Sequence, residues 1–392
     1  GSQDRRAARA AARGVDGPAA QMTAAAHIAH ILDPLVDPRL AKEDLYWDKV
    51  LGSTSTTADQ LSHDYVRGCK REHVDALDWA GDKIMVCSKD NTMRLYDVER
   101  GEKDRSWSGT WMAMQTDPNN PHIAAAVAWC GRFRVFDTRS STSHAYDLDL
   151  RKASPSLKEF LCLAWSPDSQ RIALTNRADN LVLLDLRMAQ QLKLERTYQC
   201  AGNEVNSIVW SQDGESLWLA TGGGSPAKLL VVPTPSLSSE GVVELAAHQH
   251  FCLSLAASPD GRTIASGGND CVVTMWDNKH LVCKQAFGFA TQGVATLGFN
   301  HTGSLLAWGT GQASGSSGEK NLTIVGANTG QLYLQDPTSA PVQHLKWHPK
   351  KNVLAYALNP TMLPDERDLQ RDRRLQHRDA AVVQTLKVPD RA

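Results

Sequence analysis

The chain has 392 residues, and its 42 Lys and Arg against 43 Asp and Glu give a formal net charge of −1. This balance argues against a basic domain that wraps nucleic acid and against a polyacidic tail protein. The content of 42% hydrophobic and 22% charged residues is that of a folded globular protein and excludes disorder throughout. Tryptophan is unusually frequent, with 11 residues against 7 Tyr and 7 Phe, so its positions are informative.

The cysteines and the apolar stretches bear on the cellular setting. Eight cysteines occur without a C-x-x-C motif or regular pairing, which predicts reduced, buried thiols in an intracellular protein rather than a disulfide framework or a zinc site. Uninterrupted apolar stretches stay well short of the roughly 18 residues that cross a bilayer. We therefore expect no membrane segment, no metal and no cofactor.

Residues 1–62 are predicted to form an N-terminal extension that is partly helical or disordered. Short helices are expected at 23–36, which Asp33-Pro34 would end, and at 41–51. The extension carries apolar and aromatic candidates for partner contact: Leu45, Tyr46, Trp47 and Leu51. The alternative is that this arm packs on the chain's own repeat domain.

A repeat runs from 63 to 390. An anchor residue precedes a turn-forming tetrapeptide at Trp79, Trp165, Trp210, Ala257, Phe299 and Trp347. Successive anchors lie 42 to 48 residues apart, or 86 where one is missing. The missing anchor is expected near Met114, which completes seven units.

Each unit has the pattern of four short strands. An alternating strand ends at the anchor, a hairpin turn and a small-residue strand follow, and the third strand often ends in an aromatic or aliphatic residue plus Asp, as in Trp276-Asp277. Four strands in roughly 45 residues are typical of a WD40 unit. The sequence therefore predicts an all-β, seven-bladed WD40 β-propeller, which Tyr65–Cys69 closes by pairing with a strand at Val382–Val388.

The fifth unit contains the fullest set of polar residues within a blade. His248 is predicted in the inter-blade loop, Ser266 on the second strand, Asp270 in the following turn and Trp276 on the third strand. Such residues can hydrogen-bond one to the next across the blade. We interpret them as a structural network, because their likeness to a catalytic Ser-His-Asp set is one of composition alone, and no catalytic residue is predicted.

Three insertions share one type of location, between the second and third strands of a unit, at 221–228, 309–320 and 359–379. Equivalent loops of different blades open on one face of a propeller. The last insertion, of mixed charge, contains five arginines that are candidate contacts to a protein partner or an RNA backbone: Arg367, Arg371, Arg373, Arg374 and Arg378. The alternative is a tolerated surface insertion.

Several segments make the chain resemble a particular WD40 family. They are E-V-N-S-I-V-W-S-Q-D-G (204–214), A-H-Q-H-F-C (247–252), W-D-N-K-H-L-V-C-K (276–284), G-V-A-T-L-G-F-N-H-T-G (293–303) and V-Q-H-L-K-W-H-P-K-K-N-V-L-A-Y-A (342–357). They are similar to segments of the propeller subunit of the THO complex, the nuclear assembly that couples transcription to mRNA packaging and export. The first two units depart from the pattern: Cys69-Lys70 replaces an expected Gly-His pair, and the second unit lacks its aromatic anchor.

The resemblance implies a non-catalytic scaffold in the nucleus that joins other THO subunits and associates with RNA indirectly through the complex. The near-zero net charge agrees with indirect association, since direct RNA clamping favours a basic face. The alternative function is peptide recognition within a chromatin or ubiquitin-ligase complex. A propeller of that kind is expected to carry a charged ring of Arg or Lys at its central channel, which the sequence does not show clearly.

Overall fold

The computed structural model describes residues 62–389 apart from 68, 141–143, 188–192, 201–203, 224–225, 235–236, 238–239, 311–319 and 365–379. These residues form seven four-stranded antiparallel sheets. The innermost strand of each sheet contacts those of its two neighbours, and the ring of contacts is closed. The predicted seven-bladed, all-β propeller is thus confirmed. The extension predicted for 1–62 lies, apart from Ser62, outside the described residues.

Each blade is a simple meander whose first strand is innermost. Blades 1 to 3 comprise β2 (Val74–Ala80), β3 (Lys83–Ser88), β4 (Thr92–Asp97), β5 (Glu102–Ser108); β6 (Trp111–Thr116), β7 (Ile123–Ala128), β8 (Arg132–Asp137), β9 (Tyr146–Asp149); and β10 (Phe160–Trp165), β11 (Arg171–Asn176), β12 (Asn180–Asp185), β13 (Lys193–Gln199).

Blades 4 to 6 comprise β14 (Val205–Trp210), β15 (Ser216–Thr221), β16 (Ala227–Pro233), β17 (Val243–His248); β18 (Cys252–Ala257), β19 (Thr263–Gly268), β20 (Val273–Asp277), β21 (Cys283–Phe287); and β22 (Val294–Phe299), β23 (Leu305–Thr310), β24 (Asn321–Gly326), β25 (Leu332–Pro337). Blade 7 comprises β26 (Val342–Trp347), β27 (Val353–Leu358), β28 (Val383–Lys387) and the outer strand β1 (Ser62–Tyr65). Single 3-10 turns occur at Leu150–Lys152 and Pro360–Met362. Within the described residues, no helix has the length and apolar character needed to span a membrane.

Closure of the ring joins the two ends of the repeat region in one sheet. β1 pairs antiparallel with β28, from Ser62 opposite Lys387 to Tyr65 opposite Gln384. Closure was expected from Tyr65–Cys69, so the predicted bounds of this strand were wrong. The strand ends at Tyr65, and the Val66 N–H makes one further hydrogen bond to the Val383 carbonyl at 3.0 Å.

The missing anchor of blade 2 also differs in position from the expectation. Strand register places Thr116 opposite Ala124, just as Trp79 lies opposite Ile84 and Trp165 opposite Ile172. The anchor position is therefore Thr116, two residues beyond Met114. Blade 2 lacks an aromatic side chain at the position that a tryptophan fills in four other blades.

Burial explains why the second and third strands read as continuous apolar runs. Strands such as β7, β11 and β19 are buried nearly throughout, because each sheet is covered on both faces by its neighbours. Outer strands such as β5 remain largely exposed, because only their inner edge is covered.

The meander gives the propeller two distinct faces. We call the face with the connections between strands one and two, and three and four, the turn face. The face with the connections between strands two and three, and from blade to blade, is the loop face. All three predicted insertions are connections of the second kind. The segments 311–319 and 365–379, including the five candidate arginines, lie outside the described residues.

Candidate protein-interaction site

The structure brings the four predicted polar residues of the fifth unit together in one chain of hydrogen bonds. His248 Nε2 lies 2.9 Å from Ser266 Oγ, and His248 Nδ1 lies 3.0 Å from Asp270 Oδ1. The Trp276 indole donates to Ser266 Oγ at 3.0 Å and approaches Thr274 Oγ1 at 3.1 Å. Thr274 is thus a fifth member that the sequence pattern missed. His248 ends β17 of blade 4 rather than lying in the loop, so this network joins two blades.

These hydrogen bonds connect two blades rigidly, and we call the network of His248, Ser266, Asp270, Thr274 and Trp276 the clasp. Ser266 is completely buried and His248 is buried, so the hydroxyl has no exposed surface at which a substrate could approach. Burial lowers the pKa of His248, although the Asp270 carboxylate opposes the shift, so the imidazole is neutral and donates to Asp270 while accepting from Ser266. Gly268 is required here because a Cβ would stand 2.4 Å from both Asp270 Oδ1 and His248 Nδ1.

Blade 1 holds its equivalent turn differently, at the point where the sequence departs from the family pattern. Asp90 accepts hydrogen bonds from Thr92, Lys70 and both terminal nitrogens of Arg94. Burial opposes ionisation of Asp90, but these donors outweigh it and lower the pKa of the carboxyl to about 2. Arg94, at the register position that Thr274 has in blade 5, thus holds this carboxylate together with Lys70, whereas His248 holds Asp270 in blade 5.

The tryptophan anchors connect neighbouring blades by a repeated hydrogen bond. Each indole donates to the carbonyl of the residue just before the anchor position of the preceding blade. The four bonds are Trp79 to Lys346 (2.9 Å), Trp165 to Gln115 (3.0 Å), Trp210 to Ala164 (3.0 Å) and Trp347 to Gly298 (3.0 Å). The anchor tryptophans therefore have a structural role, because they hold neighbouring blades together.

The first strands of all seven blades surround a central cavity of about 580 Å³. Its described lining is mostly aliphatic, and the charged side chains in it are Asp75 and Lys346, with His344 beside them. A single lysine is not the ring of basic residues that the peptide-recognition alternative predicts.

Exposed aromatic side chains occur on the loop face. Trp129 lies between β7 and β8, Phe251 between β17 and β18, and Phe289 between β21 and β22, with 37%, 47% and 40% of their surfaces exposed. Phe289 stacks on the buried Phe287, whose ring stacks in turn on Trp308, so its position is fixed by the core. Large aromatic side chains held rigidly at a surface are typical of protein-binding sites.

Two of these aromatics border one continuous surface across blades 2 to 5. Trp129 lines a depression of about 220 Å³ together with Leu161, Arg177, Asp179 and Glu204, among others. Beside Glu204, the Phe251 ring lies 3.4 Å from the place where a Cβ on Gly222 would stand. The depression thus combines an apolar wall with charged groups at its rim, the arrangement of a protein interface.

The sequence pattern did not identify this surface. The sequence pattern predicted no role for Trp129 in the repeat. A signal that could have identified it is its place in the turn between the second and third strands, where blades 1, 3 and 5 have Asp90, Asp179 and Asp270. Trp107, Trp111 and Trp218, also without a predicted role, are buried in the core. The predicted contacts Leu45, Tyr46, Trp47 and Leu51 lie outside the described residues. The expectation of buried thiols was wrong for Cys130 and Cys283, which are exposed in surface segments.

These features define the class of the protein. The WD domain, G-beta repeat family matches residues 240–277, which contain β17 to β20. The β-propeller domain of Myceliophteria thermophila Cps50 (Swd1) has the same fold, with a TM-score of 0.64 at 13% identity over 84% of this chain and 100% of that one. The chain is a seven-bladed β-propeller protein with a WD40 repeat at residues 240–277.

Within this class, the resemblance expected from the sequence is confirmed. The chain is 29% identical over 315 residues to THO complex subunit 3 of Arabidopsis thaliana, which covers 78% of this chain and 93% of that protein. It is also 22% identical over 290 residues to cell division cycle 20.1, cofactor of APC complex, of the same plant, over 72% of this chain and 51% of that protein.

Proposed function

We propose that the protein is a non-catalytic scaffold subunit of a nuclear THO-type complex that couples transcription to mRNA processing and export. The observation that carries the proposal is the similarity to THO complex subunit 3 along 93% of that protein's length. Similarity of this extent includes the blade interfaces and both faces, not one shared repeat. Its partners in this proposal are the other protein subunits of the complex.

The loop face supports a scaffold role in physical terms. Trp129, Phe251 and Phe289 expose apolar surface on the loop face, and burial of such side chains by a partner provides much of the binding free energy of an interface. The Ser266 hydroxyl, by contrast, is sealed inside a blade. The protein acts in this proposal by holding other chains, and RNA is reached through them because the chain itself has a net charge of −1.

Affinity purification from nuclear extract tests the proposal. The full chain carries an affinity tag, and recovered proteins are quantified by mass spectrometry with and without nuclease treatment. We expect the other THO subunits at fixed stoichiometry in both samples. Recovery of a cullin adaptor or a histone methyltransferase core in place of THO subunits would support the peptide-recognition alternative, and loss of the subunits after nuclease treatment would contradict protein-mediated assembly.

A further inference from the structure

The interface between blades 1 and 2 lacks a side chain that the repeat supplies elsewhere. In four blades an anchor tryptophan fills the space against the preceding blade and donates to the carbonyl that precedes the preceding blade's anchor. The equivalent carbonyl in blade 1 belongs to Asp78, which directly precedes Trp79. Thr116 stands at the blade 2 anchor position, and its short side chain cannot provide an indole.

A cavity of about 1050 Å³ opens on the turn face at this place. Trp79, Leu95, Pro118, Pro121 and Trp347 contribute its apolar surface. Its volume matches the pockets that hold ligands or partner side chains in other proteins, roughly 300–1,000 Å³. The cavity is large enough for one aromatic ring and the residues that flank it.

Blade 5 also lacks an aromatic anchor, but there the space is filled from within the chain. Ala257 is the anchor, and Trp218 of blade 4 packs in the cluster that contains Ile264 and Trp276. The Trp218 indole donates to Asn278 Oδ1 of blade 5 at 3.0 Å. An indole therefore reaches this second irregular interface from the neighbouring blade, and the blade 6 anchor Phe299 supplies a ring without a donor. Trp107 and Trp111 are buried in the cluster that joins blades 1 and 2, but the blade 2 anchor position itself holds no aromatic ring.

The polar groups in the cavity favour a hydrogen-bond donor. One carboxylate oxygen of Asp78 accepts the Thr116 N–H at 2.8 Å, and the other accepts the Trp79 N–H at 3.0 Å. Burial raises the pKa of this carboxyl, and the Lys346 charge and the hydrogen bonds offset the rise only in part. Each carboxylate oxygen has a second lone pair, so a further N–H donor would complement the partly buried negative charge.

We propose that this cavity binds a tryptophan side chain of a protein partner, whose ring fills the space that the short Thr116 side chain leaves and whose indole N–H donates to the Asp78 carboxylate. The four internal anchors define the chemistry of the occupant: a flat aromatic ring with one N–H donor at its edge. The proposal rests on the scaffold role for the existence of a partner. The cavity itself can be tested on the purified full-length chain.

The probe for this test is N-acetyl-5-fluoro-L-tryptophanamide, observed by fluorine NMR. We expect its signal to broaden when the wild-type chain is added, and to recover when unlabelled N-acetyl-L-tryptophanamide competes. N-acetyl-L-leucinamide should not compete. Thr116→Trp supplies the missing indole from the chain itself and should abolish the broadening, while Asp78→Asn should weaken it severalfold because it removes the negative charge.

A matched control separates occupancy of the cavity from general effects. Trp129→Ala lies on the opposite face and should leave the fluorine signal as broad as with wild type. Equal broadening with Thr116→Trp, or none with the wild-type chain, would overturn the proposal. The wild-type competition result stands even where Thr116→Trp fails to fold. Absence of THO subunits from the affinity purification would instead contradict the proposed function and leave fragment binding unaffected, so the two failures are distinguishable.

Discussion

The indole N–H of Trp79 in blade 1 donates to the carbonyl oxygen of Lys346 in blade 7, 2.9 Å away and 267 residues later in the chain. The same seam contains the ring contact between Trp79 and His348 at 4.7 Å and the hydrogen bond from His348 Nε2 to Asp82 at 3.1 Å. The propeller is thus closed by two devices: the β1–β28 pairing at the outer edge and a polar cluster along the inner part of the seam.

Replacement of Trp79 by Phe should destabilise the propeller by about 2 kcal/mol. The substitution keeps an aromatic ring but removes the donor, which leaves the partly buried Lys346 carbonyl without this bond. Urea denaturation followed by circular dichroism measures the loss. Trp129→Phe is the control, because Trp129 is exposed and should change the unfolding free energy by less than about 0.5 kcal/mol. Equal midpoints for Trp79→Phe and wild type would contradict the role assigned to this bond.

The stability of the seam should depend on pH through His344. Its Nε2 lies 3.1 Å from the Val74 carbonyl, and burial together with the nearby His73 lowers the pKa of His344 to about 4. Because the unfolded chain binds this proton with a pKa near 6.5, the stability contributed by neutral His344 is complete above about pH 6.5. It is lost progressively as the pH falls to about 4, by up to about 3 kcal/mol.

His344→Gln removes this titration and retains a donor for the Val74 carbonyl. We expect the melting temperature of the variant to fall less than that of wild type between pH 7 and pH 4.5. His248 and His348, whose pKa values burial also lowers, remain in both proteins and so cancel in the comparison. Identical pH dependence in the two proteins would show that His344 is not a source of acid sensitivity.

The blade repeat was readable from the sequence because it depends on local chemistry. Trp165, Trp210 and Trp347 mark the ends of first strands, and the residues that follow them form hairpin turns in which Ser166 and Ser211 bond to Asp168 and Asp213 two positions on. Such contacts lie within a few residues of one another. Their spacing therefore appears directly in the sequence.

The depression beside Trp129 and the turn-face cavity could not be predicted from the sequence, because both depend on contacts between blades. The depression beside Trp129 combines residues of blades 2, 3 and 4, and the turn-face cavity beside Asp78 is lined by residues of blades 7, 1 and 2, including Thr116. The anchor of blade 2 was placed near Met114 because no aromatic residue marked it, and strand register was needed to locate it at Thr116.

Gly268→Ala should destabilise the protein by about 1–3 kcal/mol, because the added methyl group would overlap Asp270 and His248 in a buried clasp. Gly288→Ala is the matched control, since a Cβ at Gly288 would meet no atom within 4 Å. Thermal unfolding of both variants provides the comparison. A melting temperature for Gly268→Ala equal to that of Gly288→Ala would mean that the clasp accommodates the added methyl group without loss of stability.

Removal of the loop-face aromatics should weaken assembly without weakening the fold. Trp129→Ala and Phe251→Ala each delete an exposed ring, so the melting temperature should stay within a few degrees of wild type. Loss of a central aromatic contact costs about 2 kcal/mol or more, which corresponds to roughly 30-fold weaker binding. Recovery of THO subunits with the tagged variants, quantified against wild type, measures the effect.

Val282→Ala is the control for this measurement, because Val282 is 54% exposed but lies in a connection between strands three and four on the turn face. Its recovery of THO subunits should equal that of wild type. Undiminished recovery with both Trp129→Ala and Phe251→Ala would exclude this part of the loop face as the main contact. An equal loss with Val282→Ala would show that the assembly responds to any change in exposed apolar surface rather than to a defined site.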